Sequence, residues 1–459
     1  MKGELRMNKS IAKWYEQYSS EVTGLSDKIF ANCEIGLDTY EAAKNTAEFM
    51  KKHGFDVEEI CVGGVSRPNG VIARYGSGKP VYGILGELDG LPGLANEVVP
   101  KCAPIPADNP GPGHGCGHHL MGAGCAAAAV ALKAAMEEDQ LQGTVIYYGC
   151  PAEETLDGKV YMARDGLFDE LDLCWAWHPM GAAPMPMEAS MQANISIFFN
   201  FYGKTAHAAA NPDAGRSALD AAEIMNVGVN YLREHVTDDV RMHYCYTNAG
   251  EKPNIVANFA RLHYYIRAKS LEMAYEVLER VKSCAEGAAI MTGTTTKNEL
   301  FAACYETCIN HTLNKFTYDS MKKVPALRYD EADYAFAAEI YQEATGKEPA
   351  GEVLEVEVPA LTGITSYTSA STDVGDVSHL VPTTQIFGGA AVKGLPFHHW
   401  TTTATTGSTI GHKAELYAGK CLAQSVYDAF NDTSIIEKSW TDFKETRKQM
   451  KPYKAGLPE

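Results

Sequence analysis

The sequence predicts an α/β protein carrying a smaller α+β insertion, and two patterns support this. Outside residues 189–309, apolar runs such as Val81-Tyr-Gly-Ile-Leu-Gly-Glu-Leu-Asp and Thr144-Val-Ile-Tyr-Tyr-Gly-Cys, of the kind buried within a sheet, alternate with helical stretches. Inside that segment, alternating strands are each followed by a helix, the pattern of a sheet covered on one side. A chain of 459 residues exceeds one ordinary core, so two domains are expected: residues 1–188 with 310–459, and residues 189–309.

The elements follow in order. Residues 8–54 have helical spacing and good helix formers, stopping at His53-Gly54. Strands are expected at 70–75 and 81–89, separated by a Gly-Ser-Gly turn, then a small-residue helix at 120–138 and strands at 144–150 and 171–178. In the insertion the reading is strand 194–203, helix 217–236, strand 255–267 and helix 271–292. A late strand at 384–388 and a peripheral helix after Thr433 complete the chain.

Apolar residues make up 45% and charged residues 21%, enough to bury a large core. The formal charge of −18 and pI near 5.3 argue against nucleic acid or an anionic membrane as the main partner, because most of the surface would repel a polyanion. A small anionic substrate stays open if fixed positive groups meet it. The first twelve residues lack the apolar run of a secretory leader, and Lys133 interrupts the Ala-rich run at 123–135 before it reaches membrane length. Twelve cysteines without a C-x-x-C pair read mostly as buried thiols in a reducing compartment, so a cytoplasmic protein is expected.

The chemistry centres on the glycine-rich segment 111–124, where Cys116 and His118 stand two residues apart. Asp89 ends one apolar run and is either a site residue or a turn former before Gly90. Glu153 and Glu154 follow the strand at 144–150, and His178 ends the strand at 171–178. Adjacent side chains leave an extended backbone in opposite directions, so one glutamate can bind metal while the other reaches elsewhere. Either His398 or His399 can complete a cluster with Cys116, His118, Glu154 and His178. An activated water beside a carboxylate base is what attack on an amide carbonyl requires.

This ordered set, C-G-H at 116–118, E-E at 153–154, H-P at 178–179 and the late P-x-H ending at His398, resembles metallopeptidase family 20, and within it the aminoacylase-like subfamily D. The phrases around Asp89, Cys116, Ser371-Thr-Asp-Val-Gly-Asp-Val-Ser and Pro396-Phe-His-His-Trp most resemble its p-aminobenzoyl-glutamate hydrolase branch. The resemblance implies a zinc-peptidase-like catalytic domain with a mixed central sheet flanked by helices, plus an inserted lid and dimerisation domain.

It further implies two divalent ions, zinc or manganese, with Cys116 bridging and His118, Glu154, His178 and His398 as ligands, and with Glu153 as general base. In the insertion, Gly203-Lys-Thr-Ala-His-Ala is similar to a lid motif that makes His207 an oxyanion-stabilising residue, the alternative being a turn histidine. Asn254 and Arg267 match segments that bind the substrate carboxylate, Arg267 being otherwise a strand-edge residue. The implied activity is hydrolysis of an N-acyl or N-aroyl amino acid, a small anionic amide, by a homodimer or with a related partner subunit.

One departure stands out: C-G-H-H replaces the usual C-G-H-D, so His119 occupies the place of an acidic group beside the ligands. Three other readings compete. They are a dipeptidase of the same family, a non-catalytic partner subunit, and a hydrolase with Cys116 as nucleophile.

Overall fold

The structure, a computed structural model, describes residues 6–458; residues 1–5 of the polar amino-terminal stretch lie outside them. The chain forms two compact units. The first is Met1–Ala189, Cys308–Thr365 and Val377–Pro452; the second is Ser190–Thr307, Ser366–Asp376 and Tyr453–Glu459.

The chain opens with helices α1 (Lys9–Ala31) and α2 (Tyr40–Lys52) and strands β1 (Asp56–Ile60), β2 (Gly70–Ser77) and β3 (Val81–Glu87). Helix α3 (His118–Glu138), strand β4 (Gly143–Cys150), helix α4 (Gly158–Arg164) and strands β5 (Leu173–His178) and β6 (Met185–Pro186) follow. Next come β7 (Ala189–Met191), β8 (Ala193–Tyr202), α5 (Ala218–Leu232), β9 (Arg241–Asn248), β10 (Phe259–Ala268), α6 (Leu271–Thr292) and β11 (Thr295–Cys304). The last third holds α7 (His311–Met321), α8 (Glu331–Thr345), β12 (Ser366–Thr368), α9 (Val374–Ser378), β13 (Thr383–Phe387), α10 (Trp400–Thr406), α11 (Thr409–Asn431) and α12 (Ser434–Thr446).

The first unit is built on a seven-stranded sheet in the order β1-β2-β4-β3-β5-β13-β6. Its middle four strands, β4, β3, β5 and β13, are parallel, while β1, β2 and β6 join antiparallel, so the sheet is mixed. Strands β3, β4, β5 and β13 are buried along their whole length, which is why they read as continuous apolar runs.

Helix α3 packs on β3 and against α1 and α11, and every residue from 118 to 132 is buried. Contrary to the expectation drawn from Lys133, α3 is long and apolar enough to cross a membrane, the one such helix among the described residues; 89% of its apolar window is buried inside the fold. Lys133 falls within the helix and turns its ammonium outward to Glu137, 2.8 Å away.

The second unit contains a four-stranded antiparallel sheet, β11-β8-β10-β9. Ile195, Ile197, Phe199 and Phe201 of β8 and Leu262, Tyr264 and Ile266 of β10 alternate into one core with α5 and α6. Strand β10 starts at Phe259 rather than 255, because Ile255 is taken up in an isolated bridge to His207. Ser217 and Ser270 cap α5 and α6 by accepting the N–H groups of Asp220 and Met273.

The second unit also buries an acid. Asp376 accepts the Tyr453 hydroxyl (2.8 Å) and the Tyr305 N–H (3.1 Å). Burial, with Asp373 and Glu306 adding to it against those two hydrogen bonds, raises its carboxyl from an ordinary 3.8 to about 8. A raised folded-state value means the protonated form favours folding, so this contribution is complete below the ordinary value and is lost as pH rises through about 8. Between about pH 5 and 9, the melting temperature of Asp376→Asn should therefore fall less steeply than that of the wild type. Parallel curves would show that Asp376 does not bind its proton in the folded chain.

Candidate metal centre

The carboxyl ends of the parallel strands carry the polar residues of the first unit's site. Strand β3 ends at Glu87 and leads to Asp89, β4 leads to Glu153 and Glu154, and β5 ends at His178. Ligands gather at such strand ends in open α/β sheets because the turns there leave side chains and backbone amides unclaimed by the sheet.

Asp89 organises the centre. One of its oxygens, Oδ1, accepts the Glu153 N–H (3.1 Å) and lies 3.3 Å from His118 Nδ1, while Oδ2 accepts the Glu154 N–H (3.0 Å). The turn it grips is tight: Ala152 has φ 57°, and a Cβ on Gly158 would lie 1.8 Å from the Pro151 carbonyl oxygen. His118 begins α3 two residues before the expected start, after Gly117 at φ 80°, where a Cβ would also meet the Pro179 ring at 2.8 Å.

Three groups of donors have their ligand atoms within 4.8 Å of one another: Cys116 with His118 and His178; Cys116 with Glu154 and His398; and Glu87 with His118 and Glu153. Cys116 Sγ lies 3.4 Å from His178 Nε2. His178 Nδ1 is 2.7 Å from the Pro179 carbonyl oxygen and so donates to it, which leaves the Nε2 lone pair facing Cys116. His398 Nε2 approaches Glu154 Oε2 at 3.3 Å. Its neighbour His399 instead contacts Thr401 Oγ1 at the start of α10, so of the two it is His398 that faces the donors.

Burial and the mutual repulsion of anions govern the electrostatics. Burial, then Glu154, push the Cys116 thiol well up, against the pull of His118. Burial raises Glu154 to about 7, opposed by His118, with Asp89 and Glu87 adding to the rise. Burial depresses His178 to about 4, so its ring is neutral near pH 7, as a ligand must be. Glu87 behaves differently: burial acts to raise it, but Lys159 foremost, then His118 and His178, leave it lowered. A cation among these donors would favour the ionised carboxylates and thiolate.

His119 does not stand beside the donors. Its Nε2 lies 3.3 Å from the Thr406 carbonyl oxygen, and its ring packs on His114 and Phe30. One residue along a helix turns a side chain by about 100°, which points His119 away from His118. The remaining sequence candidates belong to the second unit. His207 is exposed, and its Nδ1 accepts the N–H groups of Ala209 (3.2 Å) and Ala210 (3.1 Å), so a neutral ring carries its proton on Nε2. Asn254 is exposed and its backbone carbonyl accepts the Ala208 N–H, while Arg267, half-buried on β10, donates to the Ser369 carbonyl.

Two residues outside the sequence candidates, Glu87 and Lys159, are fully buried at the centre. Glu87 had a signal: it stands two residues before Asp89, and an i, i+2 pair on a strand shares one face. Lys159 had none, since a lysine in the first turn of a short helix reads as solvated.

A mixed sheet with thiol, imidazole and carboxylate donors collected at its parallel strand ends is the arrangement of a metallopeptidase. Residues 83–392 match Peptidase family M20/M25/M40, and the chain belongs to that family. It is 35% identical to one of the subunits of p-aminobenzoyl-glutamate hydrolase from Escherichia coli, over 95% of this chain and 94% of that protein. It is 30% identical to the Xaa-Arg dipeptidase of Mus musculus, over 73% of this chain and 71% of the relative. Among solved structures, a dinuclear metal binding peptidase of the M20 family from Bacillus subtilis superposes with a TM-score of 0.55 at 16% identity, covering 90% of this chain and 99% of that one. That likeness is one of fold, with a seven-stranded mixed sheet and a separate four-stranded antiparallel sheet in this chain.

Proposed function

We propose that this chain is a two-metal amidohydrolase that cleaves N-acyl or N-aroyl amino acids of the p-aminobenzoyl-glutamate kind. The observation that carries this is the pair of donor groups sharing Cys116, Cys116/His118/His178 and Cys116/Glu154/His398, with Glu153 beside them. The donors suit the ions: His118 Nε2 and Glu154 Oε1 are buried without a hydrogen-bond partner, and mixed thiolate, imidazole and carboxylate ligands accept zinc or manganese. When bound, two such ions lower the pKa of water and polarise the amide carbonyl.

The chain's own residues do the rest. Glu153 takes the proton of the attacking water and returns it to the departing amine. His207, protonated on Nε2, donates to the developing oxyanion, and Arg267 with Asn254 receives the substrate carboxylate. The working form is a homodimer through residues 189–309, or an assembly with a related subunit, in the cytoplasm. These roles rest on the family's motifs at matching positions.

The 30% identity to an Xaa-Arg dipeptidase supports a second reading, cleavage of small dipeptides. A panel of N-aroyl glutamates, N-acyl amino acids and free dipeptides, run with the zinc- or manganese-loaded chain alone, separates the two. Turnover of dipeptides alone would favour the second reading, and no turnover would point to a partner subunit. Removing metal with a chelator should abolish activity, and re-adding either ion should restore it. A Cys116 nucleophile would instead keep working in the chelator, and that result would overturn the metal mechanism.

A further inference from the structure

We propose that Glu87 is itself a metal ligand of this centre, its Oε2 facing the ion that His118 Nε2 holds while Lys159 secures its other oxygen. This rests on the two-ion reading and adds to it a donor from strand β3.

Glu87 and Lys159 are completely buried, and Lys159 Nζ donates to Glu87 Oε1 at 2.7 Å. The other carboxylate oxygen, Oε2, stands 3.3 Å from His118 Nε2, yet neither atom has a hydrogen-bond partner: they face each other without the geometry of a bond. Glu154 Oε1, 3.9 Å from the same nitrogen, is also buried and without a hydrogen-bond partner, and Glu153 Oε2 lies 3.7 Å from it. Atoms left bare in the interior are costly, and the ligand atoms of Glu87, His118 and Glu153 all lie within 4.8 Å of one another, so the site is shaped for something that engages several donors at once.

A proton cannot do this. Placed between Glu87 and His118, it would engage only those two of the donors grouped there. A divalent cation can, because bonds of about 2.0–2.2 Å set neighbouring donor atoms roughly 3–3.6 Å apart, which the observed spacings approach. On its other side, the His118 ring is already held by Asp89 at Nδ1, the arrangement that directs Nε2 toward a metal. Charge agrees as well. Glu87, Asp89, Glu153, Glu154 and the Cys116 thiolate bring more negative charge than two divalent ions neutralise, and the buried Lys159 ammonium offsets the excess.

The test is cobalt binding to the metal-stripped full chain, followed by competition with a chromophoric chelator and by visible absorption. The wild type should take up two ions. Glu87→Gln should keep one tight ion, bind the second about 100-fold more weakly and change the cobalt d–d bands, while the Cys116 thiolate-to-cobalt band persists. Lys159→Met should weaken the same ion without removing its site. If Glu87→Gln does not fold, Glu87→Asp carries the test: it should bind two ions with shifted d–d bands. Two ions at wild-type affinity with an unchanged spectrum in either Glu87 variant would overturn the proposal and leave Glu87 as the structural partner of Lys159. A wild type that binds no divalent ion would overturn the two-ion reading itself.

Discussion

Glu153→Gln should lose roughly 10³-fold in kcat on whichever amide the wild type cleaves, while keeping its metal and its fold. The side chain is nearly isosteric, and the Glu153 N–H that Asp89 holds is untouched, so the turn stays in place. What disappears is a carboxylate that can take a proton from water and return it to the amine. Glutamine offers only a weakly basic amide oxygen at the same point, 3.7 Å from His118 Nε2 in the wild type. Metal analysis on the purified variant should match the wild type. Activity within tenfold of wild type would remove Glu153 from the chemistry.

Asp89→Ala should strike stability and metal affinity together. Its carboxylate serves the N–H groups of Glu153 and Glu154 and faces His118 Nδ1, all in the interior. Removing it leaves two buried backbone donors bare, at about 1–3 kcal/mol each. The metal-free protein should then melt about 3–9 °C lower. With Nδ1 released, the His118 ring is no longer held in one tautomer, and metal affinity should fall about 10- to 100-fold. Asp89→Asn should lie between, because its amide keeps one acceptor but turns N–H against N–H at the other oxygen. Calorimetry with metal titration reads both effects. An alanine variant with wild-type melting and affinity would show that the 151–158 turn holds itself.

What was legible in the sequence follows from where the buried strands stop. An apolar run that ends in a polar residue marks a strand end, and that logic singled out Asp89, the Glu153-Glu154 pair and His178, all of which stand at the ends of parallel strands. Local sequence does not tell which way a side chain turns afterwards. His119 is adjacent to His118 but faces Thr406, and the choice between His398 and His399 depends on a backbone at φ 57°. Lys159 stayed hidden because its burial depends on Glu87, distant in sequence.

In the second unit, β9 and β11 went unread because edge strands lack the alternation that marks a half-buried one. Of β9 only Met242 is buried, and β11 is buried only over its last residues. The fold class survived these omissions because β8, β10, α5 and α6 carry the core on their own.

The position of the donors on α3 sets how the centre moves. His118 is the first residue of a helix buried on all sides through residue 132, and Cys116 precedes it by two. Helix ends usually fray at little cost, but this one cannot open without exposing the most apolar part of the first unit, so its amide protons should exchange with deuterium only when that whole unit unfolds. The metal centre would then have no low-energy open form of its own. His398 differs: it lies on a loop with its side chain half exposed, 3.3 Å from Glu154 Oε2, so the donor on that side sits where solvent and substrate arrive.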